Sequence, residues 1–131
     1  MYSEIKVKEF EWYLRDLFFR INKNNNNNND KELIKDFRKE EIAKFLIKNY
    51  LRYRDFEFDE ISNLLNIVLE DMQKNNILII DNELIKIHSK FNRKQCTKCY
   101  YINNLSLNES ICCRRCHSNN LQEFPKKKNT Q

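Results

Sequence analysis

The alternation of apolar and polar positions predicts a first amphipathic helix over residues 3–22, with Ser3 as its N-cap. Its apolar positions recur every three or four residues, which places them on one face of the helix. They are Ile5, Phe10, Tyr13, Leu14, Leu17, Phe18 and Ile21. The run that follows, "NKNNNNNND" over residues 22–30, has no apolar side chain to bury and is interpreted as a flexible loop insertion.

The same spacing indicates two further helices. A second helical segment is expected from a cap at Asp30 to about Tyr53, with a break near Arg38–Lys39. Its patch consists of Leu33, Ile34, Phe37, Ile42, Phe45, Leu46, Asn49 and Tyr50. The third helix is expected over residues 59–75, where Asp59 is its cap and the asparagines at 75–76 end it. Its apolar face consists of Ile61, Leu64, Leu65, Val68, Leu69 and Met72.

The segment "ILIIDNELIKI" follows the third helix and predicts two short strands joined at Asp81–Asn82. Three helices followed by a hairpin are the layout of a winged helix, in which the third helix takes the recognition position and the hairpin is the wing. A three-helix core with a hairpin and no nucleic-acid role is the alternative. The predicted fold class is therefore mainly α with a small β wing, as a winged-helix-like domain over residues 1–88.

All five cysteines lie in one stretch near the C-terminal end. Cys96 and Cys99 form one CxxC pair, Cys113 and Cys116 form a second, and each such turn brings two thiolates close enough to share one Zn²⁺. This spacing predicts a C-terminal zinc ribbon over residues 89–124. The single Zn²⁺ would be structural, because four thiolates leave no position open for water. Zinc is favoured over an iron–sulfur cluster because nothing else in the sequence suggests redox chemistry.

The fifth cysteine, Cys112, is interpreted as a spare, and its use in place of its neighbour is the less favoured alternative. His117 follows the last thiol and is also a less favoured ligand, since four thiolates already complete the site. Tyr100 and His117 stand where many ribbons have glycine, which suggests a different turn geometry. Between the pairs, "YYINNLSLNES" is expected to reverse the chain at Asn103–Asn104 or near Asn108.

The formal net charge of +5 is unevenly distributed along the chain. Residues 1–85 contain 14 Lys and Arg against 17 Asp and Glu, whereas residues 86–131 contain 10 against 2, a net of +8. Basic groups interleaved with aromatic rings suit a nucleic-acid backbone with stacked bases. The candidate contacts are Lys90, Arg93, Lys94, Lys98, Tyr100, Tyr101, Arg114 and Arg115. The alternative is a solvated ribbon whose tyrosines pack its small core. Residues 125–131, with Lys126–Lys128, are expected to form a basic disordered tail.

The third helix has the opposite charge. Asp59, Glu60, Glu70 and Asp71 outweigh Lys74, for a net of −3. A helix that enters the major groove normally carries cations that neutralise phosphates. This acidic helix is therefore expected to bind a protein partner, and the basic C-terminal part to bind DNA or RNA.

Other classes of function find no support in the sequence. Glycine is absent, so P-loops and dinucleotide fingerprints are missing, and turns that need a positive φ must use asparagine. No HExxH or GxSxG motif occurs, so neither an enzyme nor a small-molecule substrate is expected. No apolar stretch reaches 18 residues and no signal peptide is recognised, so no membrane association is expected. The protein is expected inside the cell, in the nucleus if the host is eukaryotic.

Two resemblances follow from these residues. "FDEISNLLNIVLEDMQKNNILIIDNELIKI", with "FEWYLRDLFF" upstream, resembles the C-terminal winged helix of the minichromosome-maintenance replicative helicases. The matching positions are Phe10, Leu14, Leu17, Phe18, Ile61, Leu69, Met72, Gln73 and Asn76. This resemblance implies regulatory contacts with protein or DNA but no helicase activity, because the ATPase is missing.

A winged helix followed by a zinc ribbon resembles the large subunit of transcription factor IIE and its archaeal relatives. This likeness depends on domain order and on the four paired cysteines, and the missing glycines after each pair depart from it. It implies a role in loading or opening promoter DNA with RNA polymerase. The sequence as a whole predicts a non-enzymatic, nucleic-acid-associated accessory factor in replication or transcription. The alternative is a zinc-stabilised protein–protein scaffold that binds no nucleic acid.

Overall fold

The computed structural model describes residues 3–24, 35–87 and 90–125 of the chain. Within these residues the chain forms three α-helices and two three-stranded antiparallel sheets, so the fold combines helices with small sheets. The helices are α1 (Glu4–Asn24), α2 (Lys39–Asn49) and α3 (Phe58–Lys74), and a 3₁₀ turn covers Leu51–Tyr53. The strands are β1 (Lys35–Arg38), β2 (Leu78–Asp81), β3 (Leu84–Ile87), β4 (Phe91–Cys96), β5 (Ile102–Ser106) and β6 (Leu121–Glu123).

Helix α1 begins as the sequence predicts, because the backbone N–H of Lys6 donates to Ser3 Oγ at 3.2 Å. It continues to Asn24, two residues past its predicted end at residue 22, and the rest of the asparagine run lies outside the described residues. Most of the predicted apolar face is buried or half-buried. Ile5 is the exception: it is 82% exposed, so its assignment to that face is wrong.

The second helical segment divides at the predicted break, but its first half is a strand. Strand β1 ends at Arg38 and α2 begins at Lys39. Strand β1 pairs antiparallel with β3, which places Phe37 opposite Ile85. A helix from Asp30 was therefore the wrong prediction for residues 35–38, because pairing with a distant strand overrides local spacing. Residues 30–34, with the proposed cap and two apolar positions, lie outside the described residues.

Helix α3 confirms its predicted apolar face, since all six predicted side chains are buried. It begins at Phe58 after Glu57 as its N-cap, so the prediction of Asp59 as the cap is wrong. Its C-terminal end shows how a chain without glycine closes a helix. Asn76 takes a left-handed φ of 62°, and the backbone N–H of Ile77 donates to Met72 O at 3.0 Å.

The predicted hairpin is present, although its turn lies one residue later than expected. Asp81 pairs with Leu84, so Asn82 and Glu83 form the turn, and Asn82 supplies a positive φ of 57°. The strand order of this first sheet is β1-β3-β2. Its apolar side chains join those of the three helices in one core. Phe91 of β4 belongs to the same core, with its ring centroid 5.5 Å from that of Phe18 in α1.

Candidate metal centre and its basic surroundings

The second sheet, with strand order β5-β4-β6, carries the cysteines at one end. Strand β4 ends at Cys96, and its hairpin with β5 encloses the first CxxC turn. Asn103 and Asn104 lie buried within β5, so the predicted reversal of the chain there is wrong. The chain turns instead after β5, at Leu107–Asn108, as the second alternative expected.

The structure brings together the four predicted thiols of Cys96, Cys99, Cys113 and Cys116. Their Sγ atoms all lie within 4.8 Å of one another. The Cys96–Cys116 and Cys99–Cys113 separations are each 3.5 Å. A tetrahedral Zn²⁺ with bonds of about 2.3 Å needs sulfur atoms about 3.8 Å apart, so this set can hold a metal ion of that kind.

The first CxxC turn directs backbone donors at its leading sulfur. The N–H groups of Lys98 and Cys99 lie 3.3 and 3.4 Å from Cys96 Sγ. Tyr100 then closes the turn, because its N–H donates to Cys96 O at 2.9 Å. Tyr100 adopts a φ of 65°, the left-handed conformation that glycine takes most readily.

The second CxxC turn repeats this geometry. The N–H groups of Arg115 and Cys116 lie 3.4 and 3.5 Å from Cys113 Sγ. His117 donates its N–H to Cys113 O at 2.8 Å and also has a φ of 65°. His117 is therefore a turn residue and lies outside the four-thiol cluster, as does Cys112.

These hydrogen bonds change the acidity of the thiols. The backbone N–H of Cys99, with that of Lys98, lowers the pKa of Cys96 against the opposing effect of burial. Burial opposes ionisation of Cys113 most strongly, but donors from Cys116, Arg115 and Asn103 bring its pKa down to about 6. The leading sulfur of each turn is thus prepared to bind a cation as thiolate.

The sheet that carries the four thiols is attached to the helices through α1. The indole Nε1 of Trp12 donates to Ile102 O at 2.8 Å. Arg15 Nη1 donates to Asn104 O at 2.9 Å, and the Arg15 guanidinium also forms hydrogen bonds to Glu109. These contacts join the middle of α1 to the first half of β5 and to the turn that follows this strand.

A second group of contacts centres on the buried carboxylate of Asp16. It accepts a hydrogen bond from Tyr50 Oη at 2.7 Å and pairs with Arg20 at 2.9 Å. Arg93 of β4 also pairs with Asp16, and its guanidinium lies 4.2 Å from the ring centroid of Phe19. The charge of Asp16 is therefore shared between a helix neighbour and the second sheet.

Two of the eight predicted nucleic-acid contacts take part in this interface. Arg93 pairs with Asp16, and Arg114 pairs with Glu11 at 2.7 Å and Glu109 at 3.3 Å. Both guanidinium groups are partly shielded by these carboxylates, with 19% and 35% of their side chains exposed. Their positive charge is therefore largely compensated within the protein.

The other six candidate residues are distributed along the second sheet and its turns, with Lys90 at the end of β4 opposite to the cysteines. Lys98, Tyr100 and Arg115 are exposed on the two CxxC turns, whereas Lys90, Lys94 and Tyr101 are half-buried. Arg115 lies over the Tyr101 ring, 5.9 Å from its centroid. The predicted set is thus divided between groups that face solvent and groups that hold the molecule together.

Sequence reasoning missed the residues of α1 that contact the sheet: Glu11, Trp12, Arg15 and Asp16. The available signal was the Arg15–Asp16 pair, which interrupts an otherwise apolar stretch between Leu14 and Leu17. Both side chains are at most 3% exposed, and charged side chains are rarely buried so fully without partners.

A cleft of about 250 Å³ lies between α1 and the second CxxC turn. It is lined by Lys8, Glu9, Glu11, Trp12, Arg15, Tyr101, Asn103, Asn104, Arg114 and Arg115. A second cleft of about 280 Å³ lies where α2, α3 and the β2–β3 turn meet. It is lined by Lys39, Glu40, Phe58, Ser62, Leu65, Asn66 and Glu83.

Comparison of the chain with family models, with curated proteins and with solved structures finds no match. The described residues contain no helix long and apolar enough to cross a membrane. The four-thiol cluster and its surroundings are therefore the features from which a function can be inferred.

Proposed function

We propose that the four thiols bind one structural Zn²⁺ and that this ion stabilises the second sheet as a zinc ribbon. The S···S distances and the donors directed at Cys96 and Cys113 support a tetrahedral site. All four ligands come from the chain, so the ion would hold the two CxxC turns together and would have no open position for a substrate. Residues 89–124 constitute this unit.

The first sheet and the helices support the assignment of a winged helix to residues 1–88. The element order is α1-β1-α2-α3-β2-β3, and β1 completes the hairpin sheet in the order β1-β3-β2. In this arrangement the β2–β3 hairpin is the wing and α3 is the recognition helix. Strand β1, which the sequence pattern did not reveal, strengthens this assignment because a plain three-helix core has no need of it.

The proposed function is that of a non-enzymatic accessory factor in DNA replication or transcription, acting in the nucleus of a eukaryotic host. The observation that carries the proposal is the exposure of Lys98, Tyr100 and Arg115 on the metal-stabilised turns of a strongly basic C-terminal part. Cations beside aromatic rings suit the phosphates and bases of a nucleic acid.

The acidic helix α3 supports docking of a protein partner. Its exposed side includes Glu70, Asp71 and Ile67, and the last is 45% exposed. Phe58 is 40% exposed and lines the second cleft beside Glu83. A partner with a basic, partly apolar surface would complement this face.

The competing function is a protein–protein scaffold in which zinc only stabilises the fold. The specific observation in its favour is that Arg93 and Arg114 are held by carboxylates of the same chain. Each is compensated internally, which reduces the positive potential available to phosphates.

The deciding experiment measures binding of the zinc-loaded full chain to labelled single- and double-stranded DNA across a salt series, with and without a chelator. Affinity that falls steeply with salt and disappears on chelation supports the accessory factor. Lys98→Gln should weaken binding, whereas Lys44→Gln, on the exposed face of α2, is the matched control and should not. No binding to either DNA at low salt would favour the scaffold.

A further inference from the structure

The cleft between α1 and the second CxxC turn combines aromatic walls with a cation. One aromatic ring is that of Trp12 in α1, and the other is that of Tyr101, the residue immediately before β5. The Trp12 indole is fixed by its hydrogen bond to Ile102 O, the residue next to Tyr101. The two rings therefore belong to one built surface, with their positions set by α1 and β5.

The carboxylates that line this cleft are already compensated. Glu9 pairs with Arg52 at 2.8 Å, and Glu11 pairs with both Arg15 and Arg114 at 2.7 Å. A ligand that enters the cleft therefore meets little uncompensated negative charge.

Arg115 is in a different position from these paired arginines. Among the described residues it forms no ion pair, and its guanidinium lies over the Tyr101 ring at 5.9 Å. A guanidinium beside an aromatic ring keeps its N–H donors available to bind a phosphate. The cleft thus offers aromatic surface and one available cation side by side.

The volume of the cleft limits the size of the ligand that can enter it. About 250 Å³ lies below the range of roughly 300–1,000 Å³ that is common for drug-sized ligands, so one planar ring is a suitable occupant. In a duplex, bases are stacked and paired and cannot enter a side cleft, whereas bases of a single strand can.

We infer that this cleft binds an unpaired base of a single-stranded nucleic acid, with Trp12 and Tyr101 as the aromatic surface and Arg115 on the adjoining phosphate. The inference depends on the proposed function and narrows it, because it selects single strands over duplexes. Trp12 is thereby assigned a role in nucleic-acid binding in addition to its contact with β5.

Trp12 is the only tryptophan of the chain, so its fluorescence reports on the cleft directly. The zinc-loaded full chain would be titrated with a short oligothymidylate and, separately, with its duplex with oligoadenylate. We expect the single strand to quench Trp12 and to bind more tightly than the duplex. Base stacking on a protein aromatic accounts for about a 5- to 150-fold change in affinity on truncation of that side chain.

Substitutions can separate the contribution of base stacking to affinity from the contribution of charge. Tyr101→Leu should lower the affinity for the single strand by about that factor. Tyr101→Phe keeps the ring and should retain the affinity. Arg115→Gln should weaken binding and make its salt dependence shallower, because one phosphate contact is lost. Lys44→Gln on α2 is the control that should change nothing.

The titrations distinguish failure of the cleft assignment from failure of the proposed function. Equal binding of single strand and duplex with unchanged Trp12 fluorescence would overturn the cleft assignment and leave the proposed function standing. No binding of either nucleic acid would overturn both. Quenching by an acidic peptide in place of the oligonucleotide would also overturn the inference and would favour the scaffold function.

Discussion

The guanidinium of Arg15 donates two hydrogen bonds to the carboxylate of Glu109, at 2.7 and 3.0 Å, across 94 positions of the sequence. Their side chains are only 3% and 8% exposed. Glu109 also accepts the backbone N–H of Ser106 at 2.6 Å, which fixes the turn after β5. This pair therefore links the helical core to the sheet that carries the four thiols.

Glu109→Gln should lower the free energy of unfolding by about 3 kcal/mol, because it leaves the buried charge of Arg15 without one of its two carboxylate partners. Urea denaturation of the zinc-saturated protein would measure this loss. The matched control is Glu40→Gln, which breaks an exposed pair with Lys44 and should leave the unfolding midpoint nearly unchanged. Equal effects of the two substitutions would contradict a special role for the buried pair.

Local features of the chain were predictable, because their causes lie within a few residues. The buried face of α3 follows from helical periodicity, and the approach of Cys96 to Cys99 and of Cys113 to Cys116 follows from CxxC spacing. That the two pairs meet followed from the number of ligands that a metal requires.

Features that depend on tertiary pairing were not predictable in the same way. Strand β1 has four residues, and it is a strand because Phe37 pairs with Ile85 almost fifty positions later. The pairing of Arg15 with Glu109 likewise depends on how α1 docks on the second sheet. A pattern read along one segment contains neither piece of information.

Two neighbouring tyrosines should respond in opposite ways to loss of their hydroxyl groups. Tyr50 Oη donates to the buried carboxylate of Asp16, so Tyr50→Phe should lower the free energy of unfolding by about 2 kcal/mol. Tyr53 Oη is buried without a hydrogen-bond partner in the described part of the chain, so Tyr53→Phe should raise it by about 1 kcal/mol. Chemical denaturation of both variants decides this, and a loss of stability in Tyr53→Phe would reveal a partner for that hydroxyl.

The same tyrosines predict a loss of stability at alkaline pH. Burial, together with Asp16, raises the pKa of Tyr50, and burial, together with Glu9, raises that of Tyr53. In the unfolded chain a tyrosine ionises near pH 10, so only the unfolded state loses these protons just above that pH. Stability is fully present below about pH 10 and falls as the pH rises towards the raised values.

The fall should approach about 1.4 kcal/mol per pH unit for each tyrosine. Denaturation between pH 9 and 11 would measure the slope. Tyr53→Phe should make it shallower by that amount, and an unchanged slope would show that Tyr53 ionises equally in both states.

Substitution of Cys112, the cysteine outside the four-thiol cluster, tests which four thiols bind the metal. Cys112→Ser should retain one equivalent of zinc, because Cys112 lies outside the four-thiol cluster. Cys113→Ser should lose it, because its sulfur lies 3.5 Å from Cys99 Sγ within that cluster. Elemental analysis of the two purified variants measures the bound metal. The reverse result would move the second CxxC turn by one residue.

The residues after each CxxC pair have a left-handed backbone conformation, so glycine at these positions is expected to stabilise the zinc-bound protein. His117 has a φ of 65°, a conformation that costs an L-residue roughly 1–2 kcal/mol and costs glycine little. Part of this gain is lost because glycine is more flexible in the unfolded chain, so His117→Gly should stabilise the zinc-bound protein by about 0.5–1 kcal/mol. Folding and metal binding are coupled at such a site, so competition with a chelator should show tighter zinc binding.

Lys98→Gly is the matched control, because Lys98 lies in the equivalent first turn and its φ is not positive. There the added flexibility brings no relief of strain, and zinc binding should weaken. If His117→Gly weakened zinc binding as well, the imidazole would have a role beyond the turn, and a ligand set with His117 in place of one thiol would have to be considered. Cys112→Ser and His117→Gly together therefore test both alternatives to the four-thiol site.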